Sequence, residues 1–182
     1  DCMAEGKLDR VKAIDMTNCT FDGHMYNPRR VMEECLAIKP DLVFLWDEAW
    51  FGFARFSPFH RLRTAMHAAA KLTERFHSPE YRAEYAAFRA RAGKLDPTDP
   101  ALLDMRLLPD PDQVRIRVYG TQSTHKSMSA LRQGSMILVH DEDFGRVHGA
   151  FEEAYFTHTS TSPNLQIIAS LDVARRQMEL EG

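Results

Sequence analysis

The stretch that most constrains the fold is "DLVFLW", residues 41–46. Its middle is solidly apolar, as expected for a strand covered on both faces. Three more runs read as strands, "VKAIDM" (11–16), "VRIRVY" (114–119) and "SMILVH" (135–140), with helical patterns between them. That alternation predicts an α/β fold whose sheet is mostly parallel and flanked by helices. In "NPRRVMEECLAIKP", Asn27 can cap a helix, Pro28 suits its first turn and Pro40 lies just past its end. The segment "SPNLQIIASLDVARRQMELEG" reads the same way, with Ser162 as cap and Pro163 at the first turn.

An excursion over about residues 61–112 separates the second and third strand candidates. It holds two good helix formers, "TAMHAAAKLTERF" and "SPEYRAEYAAFRARAG", the latter bounded by Ser78-Pro79 and Gly93. Prolines 97, 100, 109 and 111 then mark an irregular connector. A surface helical insertion is expected there, or an oligomer contact. The 182 residues allow one sizeable core and are short for two domains. The net charge, 23 − 26 = −3, gives no reason to expect nucleic acid or an anionic membrane as partner. No apolar run approaches the ~20 residues of a membrane span. Cys2, Cys19 and Cys35 form no C-x-x-C, so neither a disulfide framework nor a zinc site is expected. The histidines suggest no metal site either. A reducing, cytoplasmic setting fits, and a start without methionine hints at a piece of something longer.

In open α/β sheets, chemistry collects beyond the carboxyl ends of the strands. Three segments fall there: "TNCTFDGH" (17–24), "DEAWFGF" beginning at Asp47, and "GTQSTHKS" (120–127). Asn18, Thr20 and Asp22 of the first either contact a ligand or only shape a turn. An acid, a lysine and several hydroxyls are thus expected on one edge. "GTQSTHKS" approximates a phosphate-binding loop, but His125 stands where that loop needs glycine to bring backbone N–H groups close to phosphate. The acid-bearing strand also precedes the lysine, whereas a phosphate-binding loop normally opens its domain. Pyridoxal phosphate suits the same residues better. It needs a lysine for its aldehyde, an acid for its pyridine nitrogen and donors for its phosphate. Lys126, Asp47 and the Ser123/Thr124/His125 group supply these. Taken alone, Lys126 is a solvated lysine and Asp47 a helix cap.

"TQSTHKSMSALRQGSMILV" resembles the pyridoxal-phosphate attachment segment of the bacterial ornithine/lysine/arginine decarboxylases, whose pattern centres on S-x-H-K. "DEAWFGFARFSPF" resembles that family's acid-bearing strand end, "FEEAYFTHTSTSPNLQIIASLDVA" its later segment, and "NCTFDGHMYN" its earlier loop. Four blocks in the right order span most of residues 11–180 apart from the excursion. The resemblance implies that Lys126 is the Schiff-base lysine and that Asp47 binds the pyridine nitrogen. Ala49 would lie against the ring, Trp50 in the site wall, and Ser123 and His125 on the phosphate. Ser160, in "HTSTS", would complete a phosphate site across a homodimer or a higher homo-oligomer with shared active sites. The implied fold is the large domain of the aspartate-aminotransferase type, and the implied reaction is decarboxylation of a basic amino acid. Transamination, aldol cleavage and a non-catalytic assembly role are the rivals. Arg132 and Gly134 depart from the family's small residues, and the separation 126 − 47 = 79 is longer than in its relatives. The family's ring-stacking histidine has no counterpart, nor have the preceding phosphate turn and the C-terminal domain. The chain is therefore expected to be an excerpt of the cofactor domain, inactive alone.

Overall fold

The computed structural model describes residues 5–96 and 99–181; Cys2 and Pro97 lie outside them. Among the described residues four strands form one sheet in chain order: β1 (Ala13–Thr17), β2 (Val43–Asp47), β3 (Arg117–Gln122) and β4 (Met136–Asp141). The first three are parallel, in a register that sets Thr17 beside Asp47 and Asp47 beside Thr121. β4 is antiparallel to β3, with Thr121 opposite Ile137. A parallel fourth strand needs a crossover connection, usually a full helix. Residues 123–135 instead hold one helical turn, α5 (Thr124–Ser127), and turn the chain back along the edge.

The period-two alternation of a strand decides which sheet face is covered. Phe44 and Trp46 of β2 and Val118 of β3 are essentially inaccessible, while Leu45, pointing the other way, stays 36% exposed. The expectation that "DLVFLW" is covered on both faces therefore holds for one face only. That face packs under α1 (Pro28–Ile38) and α2 (Ala65–Phe76). Asn27 caps α1 as expected, its side chain accepting the Arg30 N–H at 3.4 Å with Pro28 in the first turn. Thr64 caps α2 by accepting the His67 N–H at 3.3 Å.

The excursion corrects the expectation of a surface insertion. Its first helix, α2, buries Ala65, Ala68, Ala69, Leu72 and Phe76, one continuous helical face inside the main core. The three alanines let the helix backbone come close to the sheet, while Leu72 and Phe76 contribute about 2 kcal/mol each on burial. Its second helix, α3 (Pro79–Ala92), is superficial: Tyr81 is its buried residue, donating from its hydroxyl to the Pro109 carbonyl at 2.8 Å. Ser78 caps α3 by accepting the Tyr81 N–H, and a one-turn helix, α4 (Pro100–Leu103), follows. Glu33 of α1, 1% exposed, is held by Arg75 of α2 at 3.0 Å and by Arg106 at 2.6 Å. Two guanidinium groups thereby staple the excursion to the first helix.

The open sheet face is partly covered by α6 (Phe144–His158), which buries none of its own residues. It touches β3 through Phe151, 6.2 Å from the Tyr119 ring, and through Asp143, which precedes it and pairs with Arg117 at 2.9 Å. The last helix is α7 (Leu165–Glu181). Its cap is Asn164, not Ser162: Asn164 Oδ1 accepts the N–H groups of Gln166 and Ile167 at 3.0 and 3.2 Å. Ser162 is instead tied into its own turn, its N–H donated to Ser160 Oγ at 3.1 Å. Among the described residues no helix is long and apolar enough to cross a membrane.

Candidate active site

Parallel β1, β2 and β3 end together, so Thr17, Asp47 and Thr121 stand in line and the segments after them share one edge. The ladder continues one step further: Asn18 N–H donates to the Asp47 carbonyl and Glu48 N–H to the Thr121 carbonyl, both at 2.8 Å. Asp47 belongs to β2 and ends it. Likewise Gly120, Thr121 and Gln122 belong to β3, so the lysine-bearing segment is strand first and then the single turn α5.

The expected site residues fall on this edge with one exception. Asp47 is half-buried, and one of its carboxylate oxygens accepts the Ala49 N–H at 2.9 Å, which fixes the turn leading to Trp50. Trp50 lies 5.2 Å from Phe21, edge to face, so the "TNCTFDGH" segment reaches the same place. Lys126 is exposed, its Nζ 5.7 Å from the centre of the Trp50 ring, and it makes no ion pair among the described residues. Ser123 begins α5, and its carbonyl accepts the Lys126 N–H at 2.9 Å. His125 Nδ1 lies 2.8 Å from the Gly134 carbonyl. Because a carbonyl only accepts, Nδ1 carries the proton of that hydrogen bond. Ser160 is not brought to this cluster. Its hydroxyl donates to the Ser162 carbonyl within an exposed loop beyond α6.

Gly134 has a structural reason here. A β-carbon at that position would lie 2.7 Å from Leu171 Cδ2, so the missing side chain makes room for α7 while the Gly134 carbonyl orients His125.

Glu48, the acid beside Asp47, was not anticipated. It is 1% exposed and points to the opposite face, where Phe44 and Trp46 also point. Its Oε1 accepts from Asn18 Nδ2 and from the backbone N–H of Ala65, both at 2.7 Å, and its Oε2 from Gln122 Nε2 at 3.2 Å. One carboxylate thus joins the ends of β1 and β3 to the first residue of α2. Burial pushes the Glu48 carboxyl above the usual carboxylate range, and the Ala65, Asn18 and Gln122 donors only partly oppose that rise. The signal was available: alternation through "VFLWDE" sets the second acid on the buried side.

The family model for the Orn/Lys/Arg decarboxylase major domain matches residues 100–182. Lysine decarboxylase LdcA of Pseudomonas aeruginosa is 32% identical over 178 residues, covering 97% of this chain and 18% of that protein. The biodegradative arginine decarboxylase of Escherichia coli is 31% identical over 164 residues, covering 90% of this chain and 16% of that protein. The solved structure of lysine decarboxylase A from Pseudomonas aeruginosa aligns at a TM-score of 0.55 with 31% identity, over 93% of this chain and 17% of that one. The chain thus spans less than a fifth of the length of these relatives.

Proposed function

The chain belongs to the Orn/Lys/Arg decarboxylase family, and we propose that its carboxyl edge holds pyridoxal 5'-phosphate in an enzyme that decarboxylates lysine, arginine or ornithine. The products would be carbon dioxide and a diamine or, from arginine, agmatine. One observation carries this: Asp47 is the register partner of Thr121, and Lys126 follows Thr121 by a single turn on the same edge. The residues present fit the cofactor. Among the described residues Lys126 is an amine with no ionic partner, and the Ser127 hydroxyl next to it in sequence is buried with no hydrogen-bond partner.

Each side chain has a task. Lys126 would hold the cofactor through its aldehyde. Asp47, steadied by Ala49 N–H, would hold the pyridine nitrogen, with Ala49 lying against the ring and Trp50 serving as the wall beside Lys126. Ser123 and His125 take the phosphate. The Gly134 carbonyl holds the His125 ring in place for that contact. Ser160 would serve from a second subunit, since its hydrogen bonds among the described residues stay within its own loop. The bound cofactor supplies the electron sink for the bond broken when carbon dioxide leaves. We place the fold within the large domain of the aspartate-aminotransferase type and the enzyme in the cytoplasm, where the Cys19 and Cys35 thiols stay free.

In the full-length enzyme, Lys126→Ala is expected to abolish the long-wavelength absorbance of bound cofactor together with carbon dioxide release. Persistence of that absorbance overturns the assignment. Release of a keto acid instead of carbon dioxide would favour transamination. The 182-residue chain alone is expected to be inactive.

A further inference from the structure

A cavity of 490 Å³ lies between the sheet, α2 and α7, and Lys126 is not among the residues that line it. Its walls are largely apolar, with Met66, Met128 and Leu138 among them, and four buried polar residues line it: Thr64, Gln122 and, deepest, Glu48 (1% exposed) and Thr124 (2% exposed). The Thr124 hydroxyl has no hydrogen-bond partner, and Glu48 has no cation within ion-pair distance, among the described residues. Glu48 Oε2 holds only the long bond from Gln122, so it retains acceptor capacity. At the exposed mouth stand Arg55 and Arg175, the latter paired with Asp172 and Glu179.

The geometry points to a binding site for a primary aliphatic ammonium, with the amine on Glu48 and Thr124 and the alkyl chain along the methionine and leucine walls. A buried carboxylate held only by neutral donors lacks its counter-charge, and a ligand ammonium supplies both that charge and three N–H donors. An alkyl anion meets the wrong charge at depth, and an alcohol leaves the carboxylate uncompensated. Two sources share this chemistry: a basic amino acid, whose carboxylate would reach the guanidinium groups at the mouth, and the diamine left after decarboxylation. The choice between them rests on the proposed decarboxylase activity. Ammonium binding itself does not.

The test is calorimetric titration of the 182-residue chain with n-pentylamine, pentanoate, 1-pentanol, L-lysine and 1,5-diaminopentane. Pentylamine is expected to bind in the millimolar range, with pentanoate and pentanol at least about tenfold weaker. Glu48→Gln is expected to weaken pentylamine about tenfold or more. Met66→Trp, which fills the cavity without touching a charge, is expected to block it and serves if Glu48→Gln fails to fold. Lys126→Ala is expected to leave it unchanged, which separates this site from the cofactor edge. Equal binding of alcohol and amine, indifference to both cavity variants, or no amine binding at all overturns the proposal. Tighter lysine than diamine identifies the amino acid as the occupant of this cavity, and the reverse the diamine.

Discussion

Glu33 and Glu48 are two buried glutamates, each 1% exposed, solved in opposite ways. Glu33 meets Arg75 and Arg106, and Arg75 also meets Glu84, so two carboxylates and two guanidinium groups form a closed charge balance. Glu48 meets an amide, a backbone N–H and a second amide, all neutral. Charges paired this way mark a structural staple, because removing one partner strands the other in a poor solvent. A carboxylate held by neutral donors keeps its geometry but not its charge, which leaves it free to answer a cation from outside. Both join elements, but the difference separates a carboxylate whose charge is met by cations from one met only by neutral donors.

The largest expected effect breaks the closed side. Arg75→Met removes the ion pairs to Glu33 and Glu84 and the cation–π contact with Tyr81, 4.9 Å from the ring centre. It should destabilise the chain by about 3 kcal/mol in urea unfolding. A change under about 1 kcal/mol would mean that Arg106 alone balances Glu33. Next comes the open side. Glu48→Leu orphans the Ala65 N–H and the Gln122 amide while Asn18 Nδ2 keeps its 2.9 Å bond to the Arg63 carbonyl, so a loss of about 2 kcal/mol is expected.

How much of this was legible in the sequence follows the same division. Local signals survived: the four apolar runs became β1 to β4 with ends shifted by a few residues, and Asn27, Pro28 and Ser78 sit where helix starts require. The common edge of Asp47 and Lys126 was readable because parallel neighbours end together. The acid Glu48 was passed over because Asp47, one residue earlier, satisfied the motif, although strand alternation sends the two to opposite faces. α2 was misjudged because alanine reads equally as exposed helix former or as close-packing residue, and only the sheet beneath distinguishes the two. The Asn164 cap was missed because Pro163 seemed to announce the helix, while Ser160 was already binding Ser162.

A smaller effect sharpens the comparison through its sign. Glu33→Gln leaves two arginines without their carboxylate and should cost about 1 to 2 kcal/mol near pH 7. Glu48→Gln keeps an acceptor for Asn18 and Ala65, and Gln122 can turn its amide to accept from the new NH₂ group. It should therefore be neutral or stabilising by up to about 1 kcal/mol in the same urea titration. Matching losses at the two positions would erase the distinction drawn between them.

The smallest expected effect is a slope. Burial raises the folded Glu48 carboxyl above the ordinary glutamate value of 4.5, so between that value and the raised one the native chain holds a proton that the unfolded chain has released. Stability changes with pH in proportion to protons bound unfolded minus protons bound folded, and here that difference is negative. The Glu48 contribution therefore falls as pH rises from 4.5 and is fully restored below it. Glu34, Glu74, Asp41 and Asp172, whose carboxyls are drawn down mainly by hydrogen bonds from basic side chains, push the whole-protein curve the other way. They are common to both proteins, so the difference between Glu48→Gln and the unmodified chain isolates the buried group. That difference should favour the variant increasingly above pH 4.5 and level off below it. A flat difference across the range would mean that the three neutral donors already compensate the Glu48 charge, leaving no unmet need for a cation in the cavity.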